Sequence, residues 1–536
     1  YLEKYMKVST SEIANDQEIF FRLEKNEIIK SSDIRELVNK ETRLSPIITQ
    51  IFDVYGSRVP YPFTIFDGIF RLDNRNPYEI LFEDNQISLS YPDPLNNIDN
   101  NWDLNQYFDI LSDAVRCETK YAAVFLSSGW DSSSILGSLV EQMPSENIKT
   151  FTLSMDYGEE TPFNVYELKK VQNICKHYGI ENITVPGKYN LLNEDELDKY
   201  LKNSSLKMLF SYVAANHNNL WDSIIEYGFL EKDTTVYAGE YSDGAHNFGF
   251  AQNFGAIYPE KGFRQYGDKI RNYFLSPSFL KRLIIDNNFE NDFLVENFAP
   301  AELVNYKDWE EGELMLDLIK KIYIDDARGP FLFKSIFKQE YKSRAFELIN
   351  KTIFKNDKPE SLDQWYSLIL RHYNNFHWSG STVKGISLHN PGNFQVKLPF
   401  GNRKLLNLLE KMPTKFGRGL ELLPTKYPLK KYCEIKLNNY PFEVQEGHHA
   451  YVYDLNQSLT TDTVLFRNTV LKNILRDSWK DDKYLIRENF LQNEIFNKYT
   501  HEIYSEENIA EVRTINHAIS FHMLDQFLEY SGFKKK

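Results

Sequence analysis

Residues 124–134, VFLSSGWDSSS, join an apolar run to a cluster of small hydroxylated residues around Gly129. The run belongs to YAAVFL (121–126), which is typical of a short strand buried on both faces of a sheet. The residues that follow, SSSILGSLVEQ, have the pattern of a helix. The stretch therefore predicts a serine-rich turn at the carboxyl end of a buried strand, at the point where a helix begins.

Further strands and helices alternate along the chain after this turn. KTFTLSM (149–155), ENITVPG (181–187) and TTVYAGE (234–240) are predicted strands, and the helix over ELKKVQNICKHYGI ends at Gly179 as a C-cap. This alternation predicts an α/β fold, with a parallel sheet and helices on both of its faces. Ligands of such sheets bind beyond the carboxyl ends of the strands. Residues 260–536 have mainly helical periodicity, so we expect a helical C-terminal part.

The first part of the chain has a different pattern. Glu79–Phe82 and Gln86–Leu89 are predicted as two short strands, and the Pro-, Asn- and Asp-rich stretch PDPLNNIDNN follows them as a linker. A helical pattern over LNQYFDILSDAVRCE comes next and includes Cys117. A chain of 536 residues is expected to form two domains. We assign residues 1–103 to a small, mostly β N-terminal domain and residues 104–536 to the α/β domain.

The composition limits the classes of function. A formal net charge of −14 argues against a large nucleic-acid interface, because neutralising phosphates requires a basic face. Three cysteines in no metal-like spacing indicate a reducing compartment. The sequence has no run of about 18 apolar residues, as a membrane span would require. We therefore expect a soluble, cytoplasmic protein with neither a nucleic acid nor a membrane as partner.

The serine-rich turn has the features of a phosphate-binding loop. Backbone N–H groups at a helix start are unpaired, and the helix dipole adds partial positive charge there. Gly129 would allow a ligand close to the backbone, and Asp131 would repel phosphate unless a divalent cation such as Mg²⁺ joins the two. Hydroxyl donors surround this point at Ser127, Ser128, Ser132 and Ser133. A serine-capped helix start with an acid in its first turn explains the same residues equally well.

Ser127–Ser132, SSGWDS, resembles the SGGxDS pyrophosphate loop of the N-type ATP pyrophosphatases. Its surroundings resemble the synthetase domain of the asparagine synthetase family, although Ser128 replaces the first glycine of the family pattern. The resemblance implies that ATP binds here and that Asp131 is a ligand of Mg²⁺. The end of the second strand, at Leu153 and Ser154, would lie beside the adenine. The implied pyrophosphate-binding residues are Ser127, Ser128, Gly129, Asp131, Ser132 and Ser133.

A second stretch, AGEYSDGAHNFG (238–249), is similar to the GEGxDExFGGY turn of the same family. It implies that Asp243 is the second Mg²⁺ ligand and that Gly239 belongs to the nucleotide site. Glu240 would be a catalytic residue that positions an incoming amine and accepts its proton. Tyr241 replaces the second glycine of the family turn and Gly244 replaces the acid after the aspartate, and these two departures argue against aspartate as the acid substrate.

Later stretches follow the family in order. Glu167 resembles an acid that opens the helix after the second strand, and an acid stabilised by the helix dipole is the equal alternative. KLPFGN (397–402) resembles the RVPFLD segment, with Asn402 in place of its aspartate. LLPTKYPLKKYCEI resembles the TKxxLR stretch and implies that Lys426 contacts pyrophosphate and takes part in catalysis. Either Lys430 or Lys431 would continue this basic edge.

The family also has a later lysine, and its place falls near His448 and His449 in this chain. His449 is therefore a candidate catalytic residue that would supply a proton or a positive charge, with an ordinary surface loop as the alternative.

Part of the N-terminal region, YPFTIFDGIFRL (61–72), resembles the end of the glutaminase domain of the family. Residue 1 is Tyr1 and the first cysteine is Cys117, so the catalytic N-terminal cysteine of the glutamine-hydrolysing members is not in this sequence. We interpret residues 1–103 as a degenerate glutaminase-like domain. Ammonia from solution or from a separate partner, or an amine, would then be the nucleophile.

The resemblance as a whole implies an ATP-dependent ligase of the asparagine synthetase type. Such an enzyme adenylates a small-molecule or peptide carboxylate, releases pyrophosphate, and forms an amide with ammonia or an amine as AMP leaves. Two alternatives stay open. One is an intramolecular amide-forming cyclase of the lasso-peptide or β-lactam synthetase type, and the other is a non-catalytic pseudoenzyme of the same fold.

Overall fold

The computed structural model of this chain describes residues 6–9, 18–24, 27–49, 59, 62–72, 79–83, 86–90, 94–155, 162, 164–187, 193–210, 212–246, 337–349, 351–352, 360–372, 386–387, 389–392, 394–416, 426–444, 469–480, 490–504 and 512–533. The histidine pair His448 and His449 lies outside these residues, and so does the side chain of Asp243. The roles predicted for them therefore stay predictions.

Two small antiparallel sheets form the N-terminal part of the chain. In the first, β5 lies between β1 and β6, and in the second, β2 lies between β3 and β4. The strands are β1 (Met6–Ser9), β2 (Ile19–Glu24), β3 (Glu27–Ser31), β4 (Ile69–Leu72), β5 (Glu79–Glu83) and β6 (Gln86–Ser90). The pair β5 and β6 confirms the two short strands predicted in this region. Stacking of Phe21 on Phe70 packs the second sheet.

The larger part of the chain is built on a five-stranded parallel sheet, as predicted. The order across the sheet is β11, β10, β7, β8 and β9, and every neighbouring pair is parallel. These strands are β7 (Tyr121–Phe125), β8 (Ile148–Ser154), β9 (Glu181–Pro186), β10 (Thr234–Ala238) and β11 (Gln395–Lys397). Because β7 and β10 are neighbours, their carboxyl ends meet at one edge of the sheet. The serine-rich turn follows β7 and the 238–249 stretch begins at the end of β10.

Alternate residues of β7 enter two different parts of the core. Ala122 and Val124 belong to one buried apolar cluster, and Ala123 and Phe125 belong to another. This arrangement arises because successive side chains of a strand point to opposite faces. It confirms that the apolar run at 121–126 is a strand buried on both faces.

Helices cover both faces of the sheet. Among the described residues from 104 to 246, the helices are α1 (Leu104–Val115), α2 (Trp130–Val140), α3 (Val165–Tyr178), α4 (Glu194–Ser205), α5 (Tyr212–Tyr227) and the one-turn helix α6 (Ser242–Ala245). Helices α1, α2 and α3 contribute side chains to the cluster that contains Val124, and α5 contributes Trp221 to the cluster on the opposite face. Helix α3 ends at Gly179, whose φ of 65° is left-handed, which confirms the predicted C-cap.

The C-terminal part is helical, as predicted. Its described helices are α7 (Gln339–Ile349), α8 (Leu362–His372), α9 (Arg403–Glu410), α10 (Tyr427–Lys436), α11 (Thr469–Lys480), α12 (Asn493–Tyr504) and α13 (Val512–Tyr530). None of the helices among the described residues is both long and apolar enough to cross a bilayer.

The predicted position of Cys117 inside a helix is wrong. Helix α1 ends at Val115, and Cys117 lies in the connection that leads to β7. Arg116 closes the helix, because its backbone N–H bonds to the Asp113 carbonyl while its own ψ of 125° is not helical. The periodic pattern of apolar residues did not mark this end.

Candidate active site

The loop between β7 and α2 is held in shape by its own serines. The backbone N–H of Ser127 donates to Ser132 Oγ at 3.0 Å, and the Ser133 hydroxyl donates to the Gly129 carbonyl at 2.7 Å. Both Ser132 and Ser133 are buried, at 4% and 1% exposure. The structure therefore places these two hydroxyls inside the loop, where they fix its backbone. Ser128 is also buried, and Ser127 and Gly129 are half-buried.

The first turn of α2 has no side-chain cap. Gly129 is the N-cap residue and has no side chain to bond the N–H groups that follow it. Such N–H groups favour an anion at the helix start. Trp130 stacks on Tyr440 with 5.9 Å between ring centroids, and this contact anchors the turn to the segment after α10. Tyr440 also lies 2.7 Å from the Ser133 hydroxyl.

Gly239 brings the end of β10 against the start of α2. A Cβ atom at residue 239 would lie 2.8 Å from the backbone nitrogen of Ser132 and 2.9 Å from Asp131 Cβ. Contacts this short are not sterically allowed, so a glycine is required here. The close approach places Glu240, which is half-buried, and the one-turn helix α6 directly beside the serine-rich loop.

The Asp131 carboxylate is the point at which three distant segments meet. Lys426 Nζ lies 2.7 Å from Asp131 Oδ1 and 2.5 Å from Asp131 Oδ2. The Ser242 hydroxyl donates to Asp131 Oδ1 at 2.6 Å. Lys426 is 8% exposed and has a left-handed backbone, with φ of 56°, at the start of α10. Asp243, which follows Ser242 in the sequence, has its backbone in α6.

Asp243 is the second of the two predicted Mg²⁺ ligands. Within the described residues, no group of three or more His, Cys, Asp and Glu side chains is arranged to hold a metal ion. The Asp131 carboxylate nevertheless suits Mg²⁺, because it offers the oxygen ligands that this ion prefers and already accepts a cationic ammonium group.

The two later lysines occupy different surroundings. Lys430 lies over the Trp130 ring, with its Nζ 5.1 Å from the ring centroid. Burial lowers the pKa of Lys430, and the positive charge of Lys426 lowers it further, while Asp131 opposes both effects. Lys431 instead lies at the surface, where it pairs with Glu434. Of the two candidates for the basic edge, the structure therefore brings Lys430 to the loop.

The end of β8 is organised by Asn164. Its side chain donates to the Leu153 carbonyl at 2.9 Å and to Glu167 Oε2 at 3.1 Å, and it accepts from the Met155 N–H at 2.9 Å. The Ser154 carbonyl accepts from the backbone N–H of Gly187. Glu167 is thus a buried acid in the first turn of α3 that supports the strand end predicted to lie beside the adenine.

Sequence reasoning missed two residues behind the loop, His246 and Tyr107. His246 Nδ1 lies 3.0 Å from Ser242 Oγ, and the Tyr107 hydroxyl lies 2.5 Å from His246 Nε2. Burial raises the pKa of Tyr107 well above its ordinary value, so this hydroxyl keeps its proton. The Ser242–His246 pair has a signal in the sequence, because residues four apart on a helix meet. Tyr107 has none, since it reaches the site from α1.

The fold and this site define an α/β protein with a serine-rich loop and an aspartate at the carboxyl edge of a parallel sheet. Residues 107–200 match the family model described as asparagine synthase. The matched residues are a minor part of the chain. The match supports an ATP-using enzyme. No curated protein matches the chain.

One similar solved structure is the U34-tRNA thiolase NcsA from Methanococcus maripaludis, described with its 4Fe–4S cluster. It is 14% identical to this chain, and the alignment covers 51% of this chain and 77% of that one, with a TM-score of 0.20.

Proposed function

We propose that the chain is an ATP-dependent ligase that adenylates a substrate carboxylate and then forms an amide with ammonia or an amine. The observation that supports it best is the meeting of Lys426 and Ser242 at the Asp131 carboxylate. These residues are 295 and 111 positions from Asp131 in the sequence, so local helix capping does not explain the cluster. The asparagine synthase match over residues 107–200 includes the loop and Asp131.

In the proposed first step, an oxygen of the substrate carboxylate attacks the α-phosphorus of ATP. The bond from this phosphorus to the bridging oxygen breaks, and pyrophosphate leaves with the electron pair. The N–H groups at the uncapped start of α2 and the Lys426 ammonium would bind the pyrophosphate and stabilise the charge that builds up on it. Asp131 and Asp243 would hold Mg²⁺, which neutralises phosphate charge when bound.

In the proposed second step, ammonia or an amine attacks the acyl carbon, and AMP leaves as the amide bond forms. Glu240 would accept the proton that the nitrogen loses. Its place directly after β10 and beside Gly239 puts it at the same sheet edge as the loop. Water has to be excluded from this edge, because the acyl-adenylate would otherwise hydrolyse.

The nucleophile and the acid are the open parts of the proposal. A degenerate glutaminase-like N-terminal domain would leave free ammonia, a separate ammonia-supplying partner, or an amine as the nitrogen source. An amine within the activated substrate would make the chain a cyclase of the lasso-peptide or β-lactam synthetase type. A pseudoenzyme of the same fold would retain the loop without the chemistry. A cytoplasmic location is part of the same proposal.

The first step is tested by Mg²⁺-dependent exchange of labelled pyrophosphate into ATP, with a panel of carboxylic acids. We expect exchange with one class of acid, which then identifies the substrate. Asp131→Asn is expected to reduce this exchange by about 100-fold or more, because it removes a carboxylate ligand of the Mg²⁺ that would neutralise the charge on the leaving pyrophosphate. No exchange with any acid in the wild-type protein would favour the pseudoenzyme.

Surface residues provide matched controls for this experiment. Asp113→Asn makes the same chemical change at a side chain that is 69% exposed, and it should leave exchange unchanged. Lys426→Met should abolish exchange, whereas Lys431→Met, on the same helix, should not. Equal effects of Lys426→Met and Lys431→Met would contradict the placement of the pyrophosphate.

A further inference from the structure

A buried chain of hydrogen bonds runs from Asp131 into the core. It passes from the Asp131 carboxylate to the Ser242 hydroxyl, then to His246 Nδ1, and from His246 Nε2 to the Tyr107 hydroxyl. Ser242, His246 and Tyr107 are 1%, 2% and 0% exposed, so water does not replace these contacts. Phe400 packs edge-on against the His246 ring with 5.4 Å between centroids and closes its other side.

The donors in this chain follow from the carboxylate end. Ser242 donates its only hydroxyl proton to Asp131 Oδ1, so Ser242 Oγ acts as an acceptor toward His246. The His246 Nδ1 therefore carries a proton, and this nitrogen also lies 2.9 Å from the Ser242 carbonyl oxygen. The neutral ring then has an unprotonated Nε2, and the Tyr107 hydroxyl donates to it. Tyr107, His246 and Ser242 thus each donate a hydrogen bond towards Asp131. Hydrogen bonds arranged in one direction in this way strengthen one another.

The direction of these hydrogen bonds determines how the Asp131 carboxylate is oriented. A carboxylate rotates with little restriction about its Cβ–Cγ bond. A donor held fixed at Oδ1 therefore also fixes the direction of Oδ2, the oxygen that Lys426 approaches at 2.5 Å. The Ser242 hydroxyl itself rotates freely unless a second partner holds it, and the His246 N–H is a partner that does so.

We propose that His246 is a positioning residue that orients the Asp131 carboxylate for Mg²⁺–nucleotide binding through the Ser242 hydroxyl. The inference rests on the proposed function, because it assumes that Asp131 is the metal ligand. His246 touches neither the nucleotide nor the metal in this assignment. Its effect is on the metal dependence of binding, and a residue that only fills space would not have that effect.

The first experiment measures pyrophosphate exchange and ATP binding by calorimetry over a range of Mg²⁺ concentrations. His246→Phe keeps the ring volume and removes both nitrogens. It should raise the Mg²⁺ concentration for half-maximal exchange and binding by about 10- to 100-fold, as loss of an orienting partner does. Ser242→Ala should give a shift of the same size. The double variant should be no worse than either single one, because both remove the same hydrogen bond.

Two further variants separate positioning from a structural role. His246→Asn keeps a donor near the Nδ1 position and should restore most of the wild-type Mg²⁺ dependence. His501→Phe makes the His→Phe change at an exposed helix residue and should have no effect. A His246→Phe protein with less activity but the wild-type Mg²⁺ dependence would overturn the inference.

The second experiment reads the proton on the ring directly and does not depend on activity. Nitrogen NMR of ¹⁵N-histidine-labelled protein, with His246→Asn used for assignment, should show a protonated Nδ1 and an unprotonated Nε2 for His246. A proton on Nε2 instead would overturn the inference, because Ser242 would then have to donate to His246. If the wild type exchanges no pyrophosphate with any acid, the proposed function fails and the inference fails with it. If the wild type exchanges and His246→Phe equals it, the inference alone fails.

Discussion

Tyr241 is in a backbone conformation that large side chains rarely adopt. Its φ of 74° and ψ of −23° lie in the left-handed region, where a Cβ atom crowds the backbone. The ring is buried at 8% exposure and packs on Gly401, where a Cβ would lie 2.7 Å from Tyr241 Cδ2. The two positions are therefore complementary, because the large residue at 241 requires the absence of a side chain at 401. The packing of the Tyr241 ring on Gly401 offsets the strain of the Tyr241 backbone.

A side chain at residue 401 should therefore destabilise the protein. Gly401→Ala should lower the free energy of unfolding by about 1–3 kcal/mol, because the new methyl group overlaps the Tyr241 ring. Urea-induced unfolding followed by tryptophan fluorescence measures this change. In a Tyr241→Ala background the same substitution should have little effect, since the ring is gone. Equal destabilisation in both backgrounds would show that the clash lies elsewhere.

Individual residues of the site were predictable to different degrees. The positions of Gly129 and Asp131 follow from local sequence, because a loop between a strand and a helix is specified by its own residues. The inward direction of the Ser133 hydroxyl was predictable only in part, since its acceptor at Gly129 is four residues away but its second partner, Tyr440, is 307 residues away. The pairing of Asp131 with Lys426 depends in the same way on tertiary packing, and the resemblance indicated each residue without indicating their contact.

At the scale of helices and strands, the sequence predicted which elements exist better than where they end. All four predicted strands of the parallel sheet are present; β7, β8 and β10 are mainly buried, whereas β9 is largely exposed. The fifth strand, β11 (Gln395–Lys397), was not predicted, since three residues at a sheet edge carry no periodic signal. The end of α1 at Val115 was missed because the residues after it continue a mixed apolar pattern.

Helix α9 offers a test at this scale, since the residue before its first turn is an asparagine with a capping side chain. Asn402 is the N-cap, and its side chain accepts from the backbone N–H groups of Lys404 and Leu405 at 2.9 and 3.3 Å. Asn402→Ala should reduce stability by about 1 kcal/mol, because those N–H groups lose their acceptor. Asn402→Asp should retain the wild-type stability, since a carboxylate caps the same groups and suits the helix dipole. Urea unfolding of the three proteins measures both effects, and equal losses in the two variants would contradict the capping role.

At the scale of the whole molecule, two of the three cysteines report on opening of the core. Burial raises the pKa of Cys175 to about 11, against the effect of its hydrogen bond with Thr150, and burial raises the pKa of Cys433 as well. Both thiols therefore stay protonated near pH 8. The stability gained by keeping Cys175 neutral is complete below the ordinary thiol pKa of 9.0 and decreases as the pH rises toward 11.

Chemical labelling of the three thiols tests this difference in burial. In the native protein at pH 8, iodoacetamide should modify Cys117, which is half-buried at the surface, and leave Cys175 and Cys433 unmodified. Modification of all three should require unfolding in urea, because the two buried thiols are exposed only when the core opens. Mass spectrometry of the digested protein identifies the labelled residues. Rapid labelling of Cys433 without urea would show that α10 opens locally.

The stretch predicted as a linker is hydrogen-bonded to a buried ion pair between two of the C-terminal helices. Arg371 on α8 donates to Glu410 on α9 at 3.0 Å and to the Pro94 carbonyl at 2.7 Å. The Asn96 amide and the Ser367 hydroxyl complete the acceptor sites of the Glu410 carboxylate. The linker thus connects the N-terminal sheets to the rest of the chain through specific contacts that its Pro- and Asn-rich composition did not indicate.

Breaking this buried ion pair should have a large effect on the free energy of unfolding. Arg371→Met should lower the free energy of unfolding by about 3–5 kcal/mol, because the Glu410 carboxylate, only 6% exposed, loses its positive partner. Adding Glu410→Gln should recover a large part of the loss, since the amide removes the buried charge while remaining able to bond to Asn96 and Ser367. Arg116→Met breaks a pair whose side chains are 65% and 69% exposed and should change stability by no more than about 0.5 kcal/mol. Urea unfolding compares the four proteins, and a double variant no more stable than Arg371→Met would mean that the loss comes from packing and not from an unpaired charge.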